Sequence, residues 1–150
     1  MNCQRCSQDP SFHSFEFLGR LDTGDGIFYT CPAKGKQLQM KEEHIGDYIA
    51  HMDGASVTSW VWVFDCSGLQ SLQMPSLPVL QKFVGLVQER YKFVLKSIYL
   101  INMNWKMHMI LSMAKPFMKD ETQKRLLIIN SRIELLAKGI HPKVAQKLHK

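Results

Sequence analysis

The sequence predicts an α/β domain: a largely parallel, buried sheet with crossover helices on its faces, plus an N-terminal hairpin or edge pair. Two observations lead there. First, Trp60-Val61-Trp62-Val63-Phe64-Asp65, Ile98-Tyr99-Leu100-Ile101-Asn102 and Leu126-Leu127-Ile128-Ile129 are apolar runs too short for core helices. Second, helix-like stretches separate these runs. Runs that are apolar throughout, rather than alternating, read as strands covered on both faces. The order strand–helix–strand–helix–strand–helix then implies right-handed crossovers.

The elements follow in order. Residues 1–13 are polar and aperiodic and read as a flexible tail. Phe15-Glu16-Phe17-Leu18 and Ile27-Phe28-Tyr29-Thr30 read as two strands around the turn Asp22-Thr23-Gly24-Asp25-Gly26. Pro32 stops the second. Leu38, Ile45, Tyr48, Ile49 and Met52 share one face of a helix over 38–52, which Gly54 ends. A strand over 59–65 follows. Pro75 and Pro78 delay the next helix, expected from Leu77 to Tyr91. A strand over 97–102 leads into a helix from Asn104 to Ala114, closed by Pro116. Asp120 and Thr122 suit a capped turn before a strand over 125–129. Ser131 with Glu134 marks the start of a last helix, closed by Gly139 and Pro142. The expected domain is 14–142, with a basic tail over 143–150.

Composition narrows the function. The chain has 150 residues, 45% of them hydrophobic and 21% charged, the balance of one folded globular domain. No uncharged apolar run is long enough to cross a bilayer, and the start lacks a signal peptide's apolar core. A cytoplasmic protein, peripherally associated with membranes, is expected. Residues 1–81 hold five Lys/Arg against nine Asp/Glu, whereas residues 82–150 hold fourteen against four. Such a basic half suits an anionic membrane surface or an acidic protein, or is simply a solvated face. Nucleic acid is disfavoured, because the basic residues are not interleaved with aromatics in any binding motif.

Candidate chemistry is sparse. There is no GxSxG, HExxH, phosphate-cradling glycine loop or GxGxxG, so no enzyme activity or cofactor is expected. Asp65 ends a strand where α/β proteins place functional groups, but Ser67-Gly68 after it favours a turn-forming acid. Cys3 and Cys6 form a CxxC with His13 nearby. Zinc needs four ligands, and no second CxxC or paired His follows at finger spacing, so no metal site is expected. Cys66, just past a buried strand, reads as packing.

Five of the nine methionines fall within 103–118: Met103, Met107, Met109, Met113 and Met118. Met103, Met107, Ile110, Leu111 and Ala114 share one helical face, while Trp105, Met109 and Met113 widen the apolar surface. Methionine is flexible and polarisable and suits a surface that fits varied apolar ligands. The plainer reading is a core helix, although Lys106, His108 and Lys115 keep part of it wet.

These residues together resemble the CRAL-TRIO lipid-binding domain family of the phosphatidylinositol/phosphatidylcholine transfer type. Trp60 through Gly68 is similar to the family's strand ending in aspartate, two residues, then glycine. Tyr91 through Asn102 resembles its next strand. Met103–Met118, ending Lys115-Pro116-Phe117-Met118, resembles its gating helix. Asp120 through Arg125 resembles the acidic turn and basic residue before the last core strand. The resemblance implies a hydrophobic pocket for one lipid, floored by the sheet and lidded by the helix at 103–115. It implies contacts from Tyr99, Trp105, Met107, Ile110, Leu111 and Phe117, with Arg125 at the headgroup. Each methylene moved from water into such a pocket contributes about 0.8 kcal/mol. Each Lys or Arg near an anionic surface adds about 1 kcal/mol.

The departures are specific. Phe93 and Val94 stand where phosphatidylinositol-binding members carry Glu-Arg, and Asn130 stands in place of a glycine. Ile140-His141-Pro142-Lys143-Val144 replaces the closing LPxxYGG, and the helical lobe that precedes the domain elsewhere has no counterpart. Such trimming keeps open a second reading, a protein-interaction scaffold or homodimer like the BCH-type relatives.

Overall fold

The computed structural model describes residues 3–37, 40–54, 58–70, 73, 75–140 and 142. Five strands form one sheet in the order β1-β2-β3-β4-β5. They are β1 (Glu16–Arg20), β2 (Gly26–Thr30), β3 (Trp60–Asp65), β4 (Leu95–Ile101) and β5 (Leu126–Ile129). The first pair is antiparallel, as expected of a hairpin, and every later pair is parallel. Gly24 turns the hairpin at φ +91°, a conformation glycine adopts without strain.

The helices are α1 (Gln4–Gln8), α2 (Ile45–Asp53), α3 (Leu77–Arg90), α4 (Trp105–Ala114), α5 (Asp120–Arg125) and α6 (Arg132–Ala137). Because strand order follows chain order, right-handed crossovers must all lie on the same side of the sheet. Accordingly α2 and α3 pack on the face carrying Phe28, Trp60 and Trp62, and α4 packs onto α3. α6 covers the other face, where Leu135 and Ile140 pack on Tyr29, Val61, Val63, Tyr99 and Ile101. The sheet is therefore buried on both faces, which is why β3 carries no alternation of polar and apolar residues.

Capping agrees with the sequence at two helices: Ser131 accepts from the Glu134 N–H at the start of α6, and Gly54 ends α2. Asn104, read as the first residue of its helix, caps α4 by accepting from the Met107 N–H. Two expectations are corrected. Residues 3–13 are not a loose tail: α1 packs with Cys3, Cys6 and His13 buried, and Arg5 pairs with Asp47 of α2. The segment expected as a turn at 120–122 is the start of α5. Leu38 and the basic tail 143–150 lie outside the described residues.

Candidate functional site

Side-chain parity along the central strands builds a cavity. Residues 62 and 64 of β3 and 98 and 100 of β4 point to the helix face. Trp62, Phe64, Ile98 and Leu100 thus form a floor, with Leu126 of β5 beside them. One wall comes from α3 through Leu80, Phe83, Val84 and Val87. The roof comes from α4 through Met107, Ile110, Leu111 and Ala114. The cavity volume is about 200 Å³, partly open to solvent. No Asp, Glu, Lys or Arg side chain lines it among the described residues; its polar groups are chiefly His13, Ser14, Thr30, Gln37, Gln73 and Gln88. The buried Trp62 indole spends its N–H on Thr30 Oγ1 at 2.9 Å, so the floor presents an apolar surface.

The inner side of the roof is apolar, with Ile110, Leu111 and Ala114 buried; its outer side is mixed, with Trp105 and Met109 64% and 48% exposed beside exposed His108 and Ser112. Polar tethers hold its ends. Asn104 Nδ2 donates to Cys66 O at 3.2 Å and Lys106 Nζ to Leu69 O at 3.3 Å. Beyond the other end, Gln88 of α3 donates to Phe117 O at 2.8 Å and accepts from Lys119 N at 3.1 Å and Thr122 Oγ1 at 3.0 Å. The link from α4 to α5 is therefore pinned to α3 by the Gln88 side chain, together with the Lys119–Glu89 ion pair.

Asp65 is a structural acid. Its Oδ1 accepts from the Ser67 N–H at 2.9 Å, the Ser67 hydroxyl at 2.6 Å and Asn102 Nδ2 at 2.9 Å, and its Oδ2 accepts from the Tyr29 hydroxyl at 2.5 Å. Burial pushes its pKa up, but the bonds from Ser67, Tyr29 and Asn102 outweigh burial and hold it below the ordinary value. Burial, then the contact with Asp65, pushes the Tyr29 phenol up, so that hydroxyl keeps its proton. The network stitches β2, β3 and β4 together where β3 ends, and matches the turn-forming reading. Gly68 completes it at φ +68°, where a Cβ would lie 3.1 Å from the Ala33 side chain. Cys66 is packing: burial pushes its thiol up to about 12.

The candidate contact residues divide. Met107, Ile110 and Leu111 line the cavity. Phe117 packs at its margin, against the cluster of Leu80, Val84 and Ile110. Trp105 stands on the outer face of the roof. Tyr99 is buried on the opposite side of the sheet, against the α6 cluster, and so does not face the cavity. Arg125, half-buried where β5 begins, donates from Nη1 to Lys92 O at 2.5 Å and Leu95 O at 3.4 Å, tying α5 to the start of β4. The floor residues Trp62, Phe64, Ile98 and Leu100 were not among the candidates, although alternation along a parallel strand places them on one face.

A second cluster lies beside the cavity. Cys3 and Cys6 of the N-terminal segment, His13 after it and His51 of α2 are all buried, and one ligand-type atom from each lies within 4.8 Å of the others. Sequence spacing offers only three of these four, because the fourth comes from a distant helix.

Comparison with known proteins settles the family. The CRAL/TRIO domain model matches residues 37–148. The chain belongs to the CRAL/TRIO domain family. Among relatives, Rho GTPase-activating protein 68F of Drosophila melanogaster is 23% identical over 120 residues, 80% of this chain and 25% of that protein. Clavesin-1 of Rattus norvegicus is 24% identical over 88 residues, 57% of this chain and 25% of that protein. The chain thus spans about a quarter of the length of these curated relatives. A solved structure described as the crystal structure of Sfh5 superposes with TM-score 0.60 at 14% identity, over 90% of this chain and 51% of that one, and shows the same fold. CRAL/TRIO membership supports a lipid-binding type of function. No helix among the described residues is long and apolar enough to cross a membrane.

Proposed function

We propose that this CRAL/TRIO domain binds one lipid or similarly apolar ligand between the sheet and α4, and exchanges it at anionic membrane surfaces by swinging α4 outward. The observation that carries the reading is a largely apolar cavity, without Asp, Glu, Lys or Arg in its lining among the described residues, roofed by a helix whose outer side exposes Trp105 and Met109. At about 200 Å³ the partly open cavity is smaller than ordinary small-molecule sites of roughly 300–1,000 Å³, which favours a roof that moves on loading. Lifting α4 uncovers Ile110 and Leu111, whose burial contributes about 3–6 kcal/mol together. Insertion of roughly four to eight ligand methylenes offsets that cost at about 0.8 kcal/mol each. Trp105 and Met109 give the lifted helix an outer face that a bilayer interface accepts. Met107, Ile110 and Leu111 are the proposed chain contacts, with Phe117 at the margin. Arg125 is the proposed headgroup contact, provided its backbone bonds yield on loading. The domain is read as a binder rather than a catalyst, working at the cytoplasmic face of membranes.

The test is quenching of tryptophan fluorescence by vesicles with brominated acyl chains. Trp62 floors the cavity and senses a brominated chain that enters it, whereas Trp105, 64% exposed on α4, senses contact of α4 with the bilayer. Quenching that persists in Trp105→Phe supports loading beneath α4, and quenching that vanishes with Trp105 confines the lipid to the outer face and refutes it.

A second reading is favoured by a different surface. α6 leaves Ile133 78% and Leu136 47% exposed, and one relative is a Rho GTPase-activating protein. In that reading the domain is a protein-interaction scaffold or homodimer. Light scattering on the eluting peak separates the homodimer from a monomeric lipid binder.

A further inference from the structure

We propose that Cys3, Cys6, His13 and His51 form a structural zinc site that fastens the N-terminal segment to α2. The four residue types are a tetrahedral zinc donor set, two thiolates and two imidazoles. Their placement fits the ion. Cys3 Sγ and Cys6 Sγ each lie 3.4 Å from His13 Nδ1. With Zn–S of about 2.3 Å and Zn–N of about 2.0–2.1 Å, tetrahedral geometry separates sulfur and nitrogen by about 3.5 Å. All four ligand-type atoms lie within 4.8 Å of one another, so small rotations converge them on one centre.

The surroundings are those of a metal site rather than of chance packing. His13 Nε2–H donates to Gln37 Oε1 at 2.7 Å, which fixes the tautomer that leaves the Nδ1 lone pair facing the sulfurs. Cys3 caps α1, and its sulfur accepts the Cys6 N–H at 3.4 Å, so the CxxC turn already holds both sulfurs on one side. His51 is held by stacking on Phe15, with ring centroids 5.3 Å apart, and meets the His13 ring edge-on at 5.5 Å. All four residues are at most 7% exposed, which leaves no open position for substrate or water and points to a structural ion.

The site explains why α1, only five residues long, is ordered at all. Such a helix cannot persist alone. Arg5 pairing with Asp47 gives one attachment to α2, and the zinc gives a second. Since His13 and Gln37 also line the cavity, the ion would stiffen that wall without entering the cavity.

The test uses full-length protein purified without a polyhistidine tag and analysed by inductively coupled plasma mass spectrometry. About one zinc per chain is expected, falling well below half in Cys6→Ser and in His51→Gln. Zinc at full stoichiometry in both variants would place the ion elsewhere and overturn the proposal. So would copper or iron in its place, or an intact mass showing a Cys3–Cys6 disulfide without metal. Should the variants fail to fold, wild-type protein exchanged with cobalt(II) decides the matter. Sulfur-to-cobalt charge transfer with intense tetrahedral ligand-field bands supports the site, and a weak octahedral spectrum refutes it. These readouts do not involve lipid, so they are independent of the cavity's role.

Discussion

Replacing Leu111 with aspartate probes the roof directly. Leu111 is 5% exposed and points into the cavity from α4. Its burial contributes about 1.5–3 kcal/mol to the closed position. An aspartate held there must lose its charge, and protonating a carboxyl of ordinary pKa at pH 7 costs about 4 kcal/mol. The closed roof is therefore disfavoured by about 5–7 kcal/mol in Leu111→Asp, comparable to the whole stability of a small domain. Lifting α4 is the cheaper escape, because α4 joins the rest of the fold through few polar tethers. The assay is extraction of a fluorescent phosphatidylcholine from vesicles, with far-ultraviolet circular dichroism to confirm that the sheet persists. Retained lipid should fall at least tenfold, a change of about 1.4 kcal/mol that is well inside the calculated effect. Met109→Asp is the control: Met109 lies on the outer face, so extraction should persist while vesicle binding weakens. Extraction by folded Leu111→Asp equal to wild type would refute α4 as the roof of a working pocket.

The remaining predictions address single contacts. Gln88→Ala removes three hydrogen bonds to the link after α4, each contributing about 0.5–1.5 kcal/mol; Tm should fall and lipid exchange accelerate in a fluorescence transfer assay. Unchanged exchange would show that the link does not govern the roof. Arg125→Ala should weaken binding to vesicles containing anionic lipid in a sedimentation assay. A lowered Tm with unchanged binding would confine Arg125 to its bonds with Lys92 and Leu95. Asp65 has a folded pKa below its unfolded value, so its bonds stabilise the fold above about pH 4 and are lost as pH falls further. Tm of wild type should therefore drop more steeply on acidification than that of Asp65→Asn, and parallel curves would contradict the network.

Much of this architecture is legible in the sequence, for identifiable reasons. A parallel strand buried on both faces must be apolar throughout, so Trp60–Phe64 and Ile98–Ile101 announce themselves. That same continuity hides which residues face which way. Tyr99 reads as a plausible ligand contact, yet the pleat turns it to the α6 side while Ile98 and Leu100 face the cavity. Trp105 fits the apolar character of its helix but lies outside the stripe that meets the floor. α5, Asp-Glu-Thr-Gln-Lys-Arg, has no apolar face and so reads as a turn. α1 is too short for periodicity, and its packing depends on contacts with α2 that no local pattern encodes. The Cys–His cluster is hidden for the same reason, since His51 joins it only through folding. Arg125 is conspicuous as a charge before a strand, whereas its bonds to backbone carbonyls appear only in three dimensions.

The central claim is that the cavity beneath α4 holds a lipid. Native mass spectrometry of the purified protein, followed by solvent extraction and lipid identification, tests it most directly. The account predicts an added mass matching one diacyl lipid or sterol-sized molecule, acquired at the latest on incubation with mixed-lipid vesicles. A clean unliganded mass that stays clean after incubation would contradict it, and would leave the exposed face of α6 as the working surface of a protein-interaction domain.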